Sequence, residues 1–128
     1  MAIVVEAKGV RALGLRVGIV GNQTVVLERW ARASALPADV ISSSDSLGVR
    51  KPDSSFFEHV VELAGCAPGE VAYVGDRVDN DVLPAAAAGL VAIHVRRGPW
   101  GPLQRTPPAA TFGIDDLASL PEALASLV

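Results

Sequence analysis

Three carboxylates fall within six residues in Asp76-Arg77-Val78-Asp79-Asn80-Asp81, directly after the apolar run Val71-Ala72-Tyr73-Val74 and Gly75. Mg2+ takes oxygen ligands and is commonly held by one or two carboxylates, with water in the remaining positions. Asp76 at a loop entrance and Asp81 in the next helical turn offer such a pair. Lys51, within Leu47-Gly48-Val49-Arg50-Lys51-Pro52-Asp53, supplies a compact positive charge for an anion. Gly21 and Asn22 follow the run Val17-Gly18-Ile19-Val20 just ahead of a helix start, where backbone N–H groups are placed to meet a phosphate. Carboxylates, one ammonium and backbone amides together suit a phosphate ligand accompanied by Mg2+.

These residues stand at comparable places because of the elements around them. Short runs rich in Val and Ile alternate with stretches of helical periodicity, the pattern of a parallel sheet flanked by helices. Strands are expected at Val17–Val20, Val40–Ile41, Val71–Val74 and Val91–Val95, with a last edge strand within Ala110–Ile114. Thr24 caps a helix whose apolar face is Val25, Val26, Leu27, Trp30, Ala31, Ala33 and Ala35, closed by Pro37. A polar loop from Ser42 through Asp53 leads to a helix with Phe56, Phe57, Val60, Val61 and Ala64 inward, ending at Gly65. Pro68-Gly69 is a turn, Val82 to Ala88 a small-residue helix ended by Gly89, and Leu120 to Leu127 a terminal helix. In open parallel sheets ligands bind beyond the carboxyl ends of the strands. That is where Gly21, Asn22, Lys51, Asp76 and Asp81 fall.

With 128 residues, half of them apolar, the chain is sized for one core domain. Eleven basic against 14 acidic side chains, with no basic block, give no footprint for nucleic acid or an anionic membrane. The longest nearly apolar run, Val82 to Ile93, is interrupted by Pro84 and Gly89 and is too short to span a bilayer. Met1-Ala2-Ile3-Val4-Val5 runs directly into Glu6 and Lys8, so no secretory signal is read and a cytoplasmic location is expected. The lone Cys66, and His59 and His94, which lack metal-ligand spacing, are read as structural. Trp100, among glycines and prolines, is left without a role.

The order Val17-Gly18-Ile19-Val20-Gly21-Asn22, then Leu47 to Asp53 with its Arg-Lys-Pro-Asp, then Val71 to Ala85 with Gly75-Asp76 and Asp81, resembles the second, third and fourth motifs of the haloacid dehalogenase (HAD) superfamily. The resemblance covers roughly Glu6 to Gly101. It implies a three-layer, Rossmann-like parallel sheet and Mg2+-dependent phosphatase chemistry on a small phosphorylated molecule. Lys51 would orient a nucleophile and offset phosphoryl charge, Asp76 and Asp81 would hold Mg2+, and Gly21 and Asn22 would border the phosphate. Two departures stand out. Gly21 occupies the position where the family usually has a Ser or Thr hydroxyl, and no Asp-x-Asp, the family's nucleophile and acid–base pair, precedes Val17. Glu6 and Lys8 stand where a degraded first motif would place them, while Ala7, Val10 and Leu13 repeat at helical spacing. The helical reading is preferred, and it makes the chain an incomplete core without a cap domain. Weak Mg2+ binding and no turnover by the isolated chain are then expected. So is association, as a homo-oligomer or with a missing amino-terminal segment, because the family's first-motif strand lies between the strands matching Val17–Val20 and Val71–Val74. The alternative is a non-catalytic phosphate- or partner-binding module.

Overall fold

A computed structural model describes residues 14–36, 38–99 and 101–127. The readings placed on Ile3–Val5, Glu6–Leu13, Pro37 and Trp100 lie outside these residues. Strand β1 (Gly18–Gly21) pairs in parallel with β2 (Val40–Ser43), from Gly18 opposite Val40 to Gly21 opposite Ser43. Strands β3 (Ala72–Gly75), β4 (Val91–Val95) and β5 (Phe112–Ile114) form a second parallel sheet in that order. The two sheets share no ladder among the described residues, so the parallel sheet expected from the sequence is found as two pieces. Among the described residues, β1 and β3 are each paired on one side only.

Side chains alternate across a strand, and here the alternation builds a core on each face. Tyr73 and Ala92 join Val20, Phe56, Phe57, Val60, Val82 and Ala85 in one layer. Val74, Ile93 and Val95 join Val17, Ile114, Leu117, Leu120 and Leu124 in the other. Val20 of β1 enters the first layer and Val17, just before β1, the second, so apolar packing on both faces ties the two pieces together. Phe57 anchors the first layer, its ring edge-on to Phe56 at 5.2 Å and to Tyr73 at 5.1 Å. Complete burial of a phenylalanine contributes about 1.5–3 kcal/mol. Among the described residues no helix is long and apolar enough to cross a membrane.

Most helix ends follow the local chemistry. Helix α1 (Val25–Ala33) is capped by the Thr24 hydroxyl, which accepts the Leu27 N–H. Helix α3 (Ser54–Ala64) stops at Gly65, whose φ of 70° suits a residue without Cβ. Four readings need correction. The Ser42–Asp53 loop is partly ordered: β2 runs to Ser43, and Ser43 then caps a short helix α2 (Ser44–Leu47) by accepting the Ser46 N–H. The helix expected from Val82 begins earlier, as a π-helical turn over Val78–Val82 that continues into α4 (Leu83–Ala87). The terminal helix α5 is confined to Leu120–Ala125. The apolar face of α1 is turned outward: Val26 and Trp30 are 67% and 64% exposed, whereas Glu28 is buried. Glu28 Oε2 accepts a hydrogen bond from Ser46 Oγ at 3.0 Å, and Arg32 donates to the Ile41 carbonyl, so polar contacts orient this helix.

Candidate functional site

The carboxyl ends of β1, β2 and β3 and the segment after α2 meet at one end of the sheets. β1 ends in Gly21 and hands over to Asn22, whose side chain clamps the Lys51 backbone at both polar atoms. Asn22 Oδ1 accepts the Lys51 N–H at 2.8 Å, and Asn22 Nδ2 donates to the Lys51 carbonyl at 3.1 Å. Lys51 precedes a cis bond to Pro52. Its side chain runs inward to Asp81, with Nζ 2.5 Å from Oδ1 and the two side chains 1% and 0% exposed. The solvated loop lysine that its polar sequence context suggests is thus a buried ion pair. Asn22 acts on Lys51 through the backbone, so its amide is committed to positioning that residue.

Asp81 is placed by Gly75. A Cβ built on Gly75 would lie 2.2 Å from the Asp81 Cβ and 2.5 Å from its Cγ, so the carboxylate rests directly on the end of β3. Asp81 Oδ2 also accepts the Arg77 N–H at 3.2 Å, folding the acidic segment back onto its own start. Asp76 follows Gly75 and remains half-buried, while Asp79 points outward into a pair with Arg77 at 2.8 Å. Of the three clustered carboxylates, Asp81 is buried against Lys51, Asp76 is half-buried at the end of β3 and Asp79 is turned outward. Among the described residues no group of three or more His, Cys, Asp or Glu side chains gathers around a possible ion. Two carboxylates alone would suit Mg2+ only with several of its waters retained.

Two residues beside the site have no distinctive sequence signal. Tyr73 lies two residues before Gly75 and so on the same face of β3; its ring is 5.9 Å from Lys51 Nζ, within reach of a cation–π contact. Its hydroxyl is buried without a hydrogen-bond partner in the structure, and burial, followed by the charges of Asp81 and Asp76, pushes its pKa well above 10. His94 pairs with Gly75 across β3 and β4 and is completely buried. Its Nδ1 is 2.8 Å from Thr106 Oγ1. Burial, and then the nearby Arg96, lowers its pKa below 6.5. The sequence reading of His94 as structural agrees with this interior position. Lys51 and Asp81 thus form a buried pair at the strand ends, with the half-buried Asp76 following Gly75 in the chain.

Comparisons with known proteins identify the family. The sequence profile of the HAD-hydrolase-like family matches residues 48–120, beginning at Gly48 and continuing past the Gly101 limit seen in the motifs. Glyceraldehyde 3-phosphate phosphatase of Methanocaldococcus jannaschii is 29% identical over 94 residues, which cover 70% of this chain and 41% of that protein. The corresponding enzyme of Methanopyrus kandleri is 32% identical over 94 residues, covering 70% and 40%. The chain spans about two fifths of the length of these curated relatives. Among solved structures, a HAD phosphatase from Thermococcus onnurineus superposes with a TM-score of 0.78 at 27% identity, covering 92% of this chain and 54% of that one. With its motifs in family order, a buried lysine–carboxylate pair at the strand ends and a profile match over more than half its length, this chain belongs to the HAD-like hydrolase family as part of a phosphatase-type core.

Proposed function

We propose that this chain carries the Mg2+- and phosphate-holding portion of a phosphatase site for small phosphoesters and that the portion does not turn over by itself. The carrying observation is the buried Lys51–Asp81 pair next to Asp76. A lysine and two carboxylates at the ends of parallel strands match what a phosphoryl group and its counter-ion require. Asp76, partly open to solvent, would contact Mg2+ directly, and Asp81, engaged by Lys51 and the Arg77 N–H, would reach it through water. Lys51 offsets phosphoryl charge, Asn22 fixes the Lys51 backbone, and Gly21 contributes main chain at the edge of the phosphate position. When bound, Mg2+ would polarise phosphoryl oxygens. Gly21, Asn22, Lys51, Asp76 and Asp81 position groups and offset charge, and none of them is proposed as the bond-forming nucleophile. The small phosphorylated substrates named for the relatives support this class. Among the described residues β1 and β3 are each paired on one side, which supports association, as a homo-oligomer or with a further amino-terminal segment, since open strand edges are templates for pairing.

Calorimetric titration with Mg2+ and a panel of small phosphoesters test the proposal, each with wild type and Asp76→Asn. The expected result is millimolar Mg2+ binding that Asp76→Asn weakens, with no phosphoester turnover above that of the variant. Equal Mg2+ binding by both proteins overturns the metal assignment. Turnover that is lost in Asp76→Asn overturns the claim that the chain is inactive alone.

A further inference from the structure

The π-helical turn Val78–Val82 carries Asp81, and its shape is held from outside its own sequence. Helical turns leave their first amides without intrahelical acceptors, and π turns are rare enough that local contacts must sustain them. Here the Asp81 and Val82 amides both donate to the Arg77 carbonyl, at 2.9 and 3.2 Å, and the Arg77 amide is taken by Asp81 itself. The Val78 amide instead donates to Gln104 Oε1 at 2.9 Å, across 26 positions of sequence.

Gln104 has a defined place because the irregular strap after β4 is tied down on both sides of it. Two residues later, Thr106 Oγ1 lies 2.8 Å from His94 Nδ1 and accepts from Arg96 Nη1 at 2.9 Å, while Arg96 Nε donates to Asp115 at 2.9 Å. These groups settle over Gly113, where a Cβ would lie 2.1 Å from Arg96 Nη1 and 2.6 Å from Thr106 Oγ1. At its start the strap passes the other carboxylate: a Cβ on Gly98, whose φ is 70°, would be 3.5 Å from Asp76 Oδ2. The strap therefore runs close by Asp76 and is bonded to the acidic segment at Val78.

We propose that Gln104 is a positioning residue for the carboxylate pair, acting through the Val78 amide to keep the π turn in the shape that presents Asp76 and Asp81 to one cation. The inference rests on the Mg2+ reading above. Groups that orient metal ligands typically change affinity about 10- to 100-fold when removed. Gln104→Leu keeps the size of the side chain and removes the acceptor, whereas Gln104→Glu retains an acceptor for the Val78 N–H.

The experiment is Mg2+ titration of the full chain, with amide hydrogen exchange at Val78 as a second readout, for wild type, Gln104→Leu, Gln104→Glu and Asp76→Asn. The expected result is a Kd raised about tenfold and faster Val78 exchange in Gln104→Leu, with both readouts held at the wild-type level or better in Gln104→Glu. If wild type binds Mg2+ through Asp76 and Gln104→Leu binds it equally well, the Gln104 inference fails and the metal reading stands. Equal weakening in Gln104→Leu and Gln104→Glu also refutes it, because the acceptor is then irrelevant. If Asp76→Asn binds as wild type does, the metal reading and this inference fall together.

Discussion

Gly75→Ala tests the packing of the site most directly, because one methyl group would enter space that Asp81 occupies. The added Cβ would lie 2.2 Å from the Asp81 Cβ, 2.5 Å from Cγ and 2.6 Å from Oδ2. The Cβ and Cγ of Asp81 cannot swing away as the end of a long side chain can, so the π turn or β3 must shift. A shift at Asp81 separates it from Lys51, and both are buried. Breaking a buried pair on one side costs about 3–5 kcal/mol, more than the ~1–3 kcal/mol of ordinary overpacking. Two other glycines give the scale. At Gly113 the added Cβ meets the movable ends of Arg96 and Thr106, for which about 1–3 kcal/mol is expected. At Gly18 it meets only Val40 atoms at 3.8 and 4.0 Å, and the change should stay within about 0.5 kcal/mol. In urea unfolding with a slope of about 2 kcal/mol/M, Gly75→Ala should lower the midpoint by about 2 M and Gly18→Ala hardly at all. A Gly75→Ala midpoint equal to that of Gly18→Ala would refute the close seating of Asp81 on β3.

Two other outcomes follow from features of the same end of the sheets. Because burial and Arg96 lower the folded pKa of His94 below its unfolded value of about 6.5, the unfolded chain takes up the proton more readily. Its contribution to stability should be complete above pH ~6.5 and decline as pH falls toward the folded pKa; urea midpoints should drop less over this range in His94→Gln, and parallel slopes would exclude the effect. Light scattering at tens of micromolar should give a mass above the monomer's 13.2 kDa, and a stable monomer would count against association through the edges of β1 and β3.

The sequence was most informative where chemistry is local. Thr24 and Gly65 end their helices as their side-chain chemistry predicts, and the Val/Ile runs mark the strands to within a residue or two. The order of Asn22, Lys51, Asp76 and Asp81 was enough to expect one site, because strand ends in a parallel sheet converge. What stayed hidden depends on long-range partners. Burial of Lys51 requires Asp81, 30 residues away, and the role of Gln104 requires the Val78 amide. Gln104 belongs to no periodicity or motif, and the motifs that hold Lys51 and Asp81 do not say that the two side chains are buried against each other. Helix α1 misled for a different reason: its run of apolar residues promised a buried stripe, but Ser46 engages Glu28 and Arg32 reaches the Ile41 carbonyl, fixing the opposite face inward. The acidic run also reads equally well as a loop or a helix start, since a π turn has no compositional signature.

The reversed orientation of α1 gives this flank of the protein its own temperature response. Exposing apolar surface raises heat capacity and exposing polar surface lowers it. The Phe56–Phe57–Tyr73 layer is held by apolar burial and so loses some of its grip on cooling. Helix α1 turns Val26, Leu27 and Trp30 to solvent and is held by Glu28, Arg32 and the Asp45 carboxylate that accepts its Val25 amide. Its detachment carries little of the heat-capacity increment that accompanies melting of the core. Cold therefore weakens the hold on the centre of the molecule more than the hold on this edge.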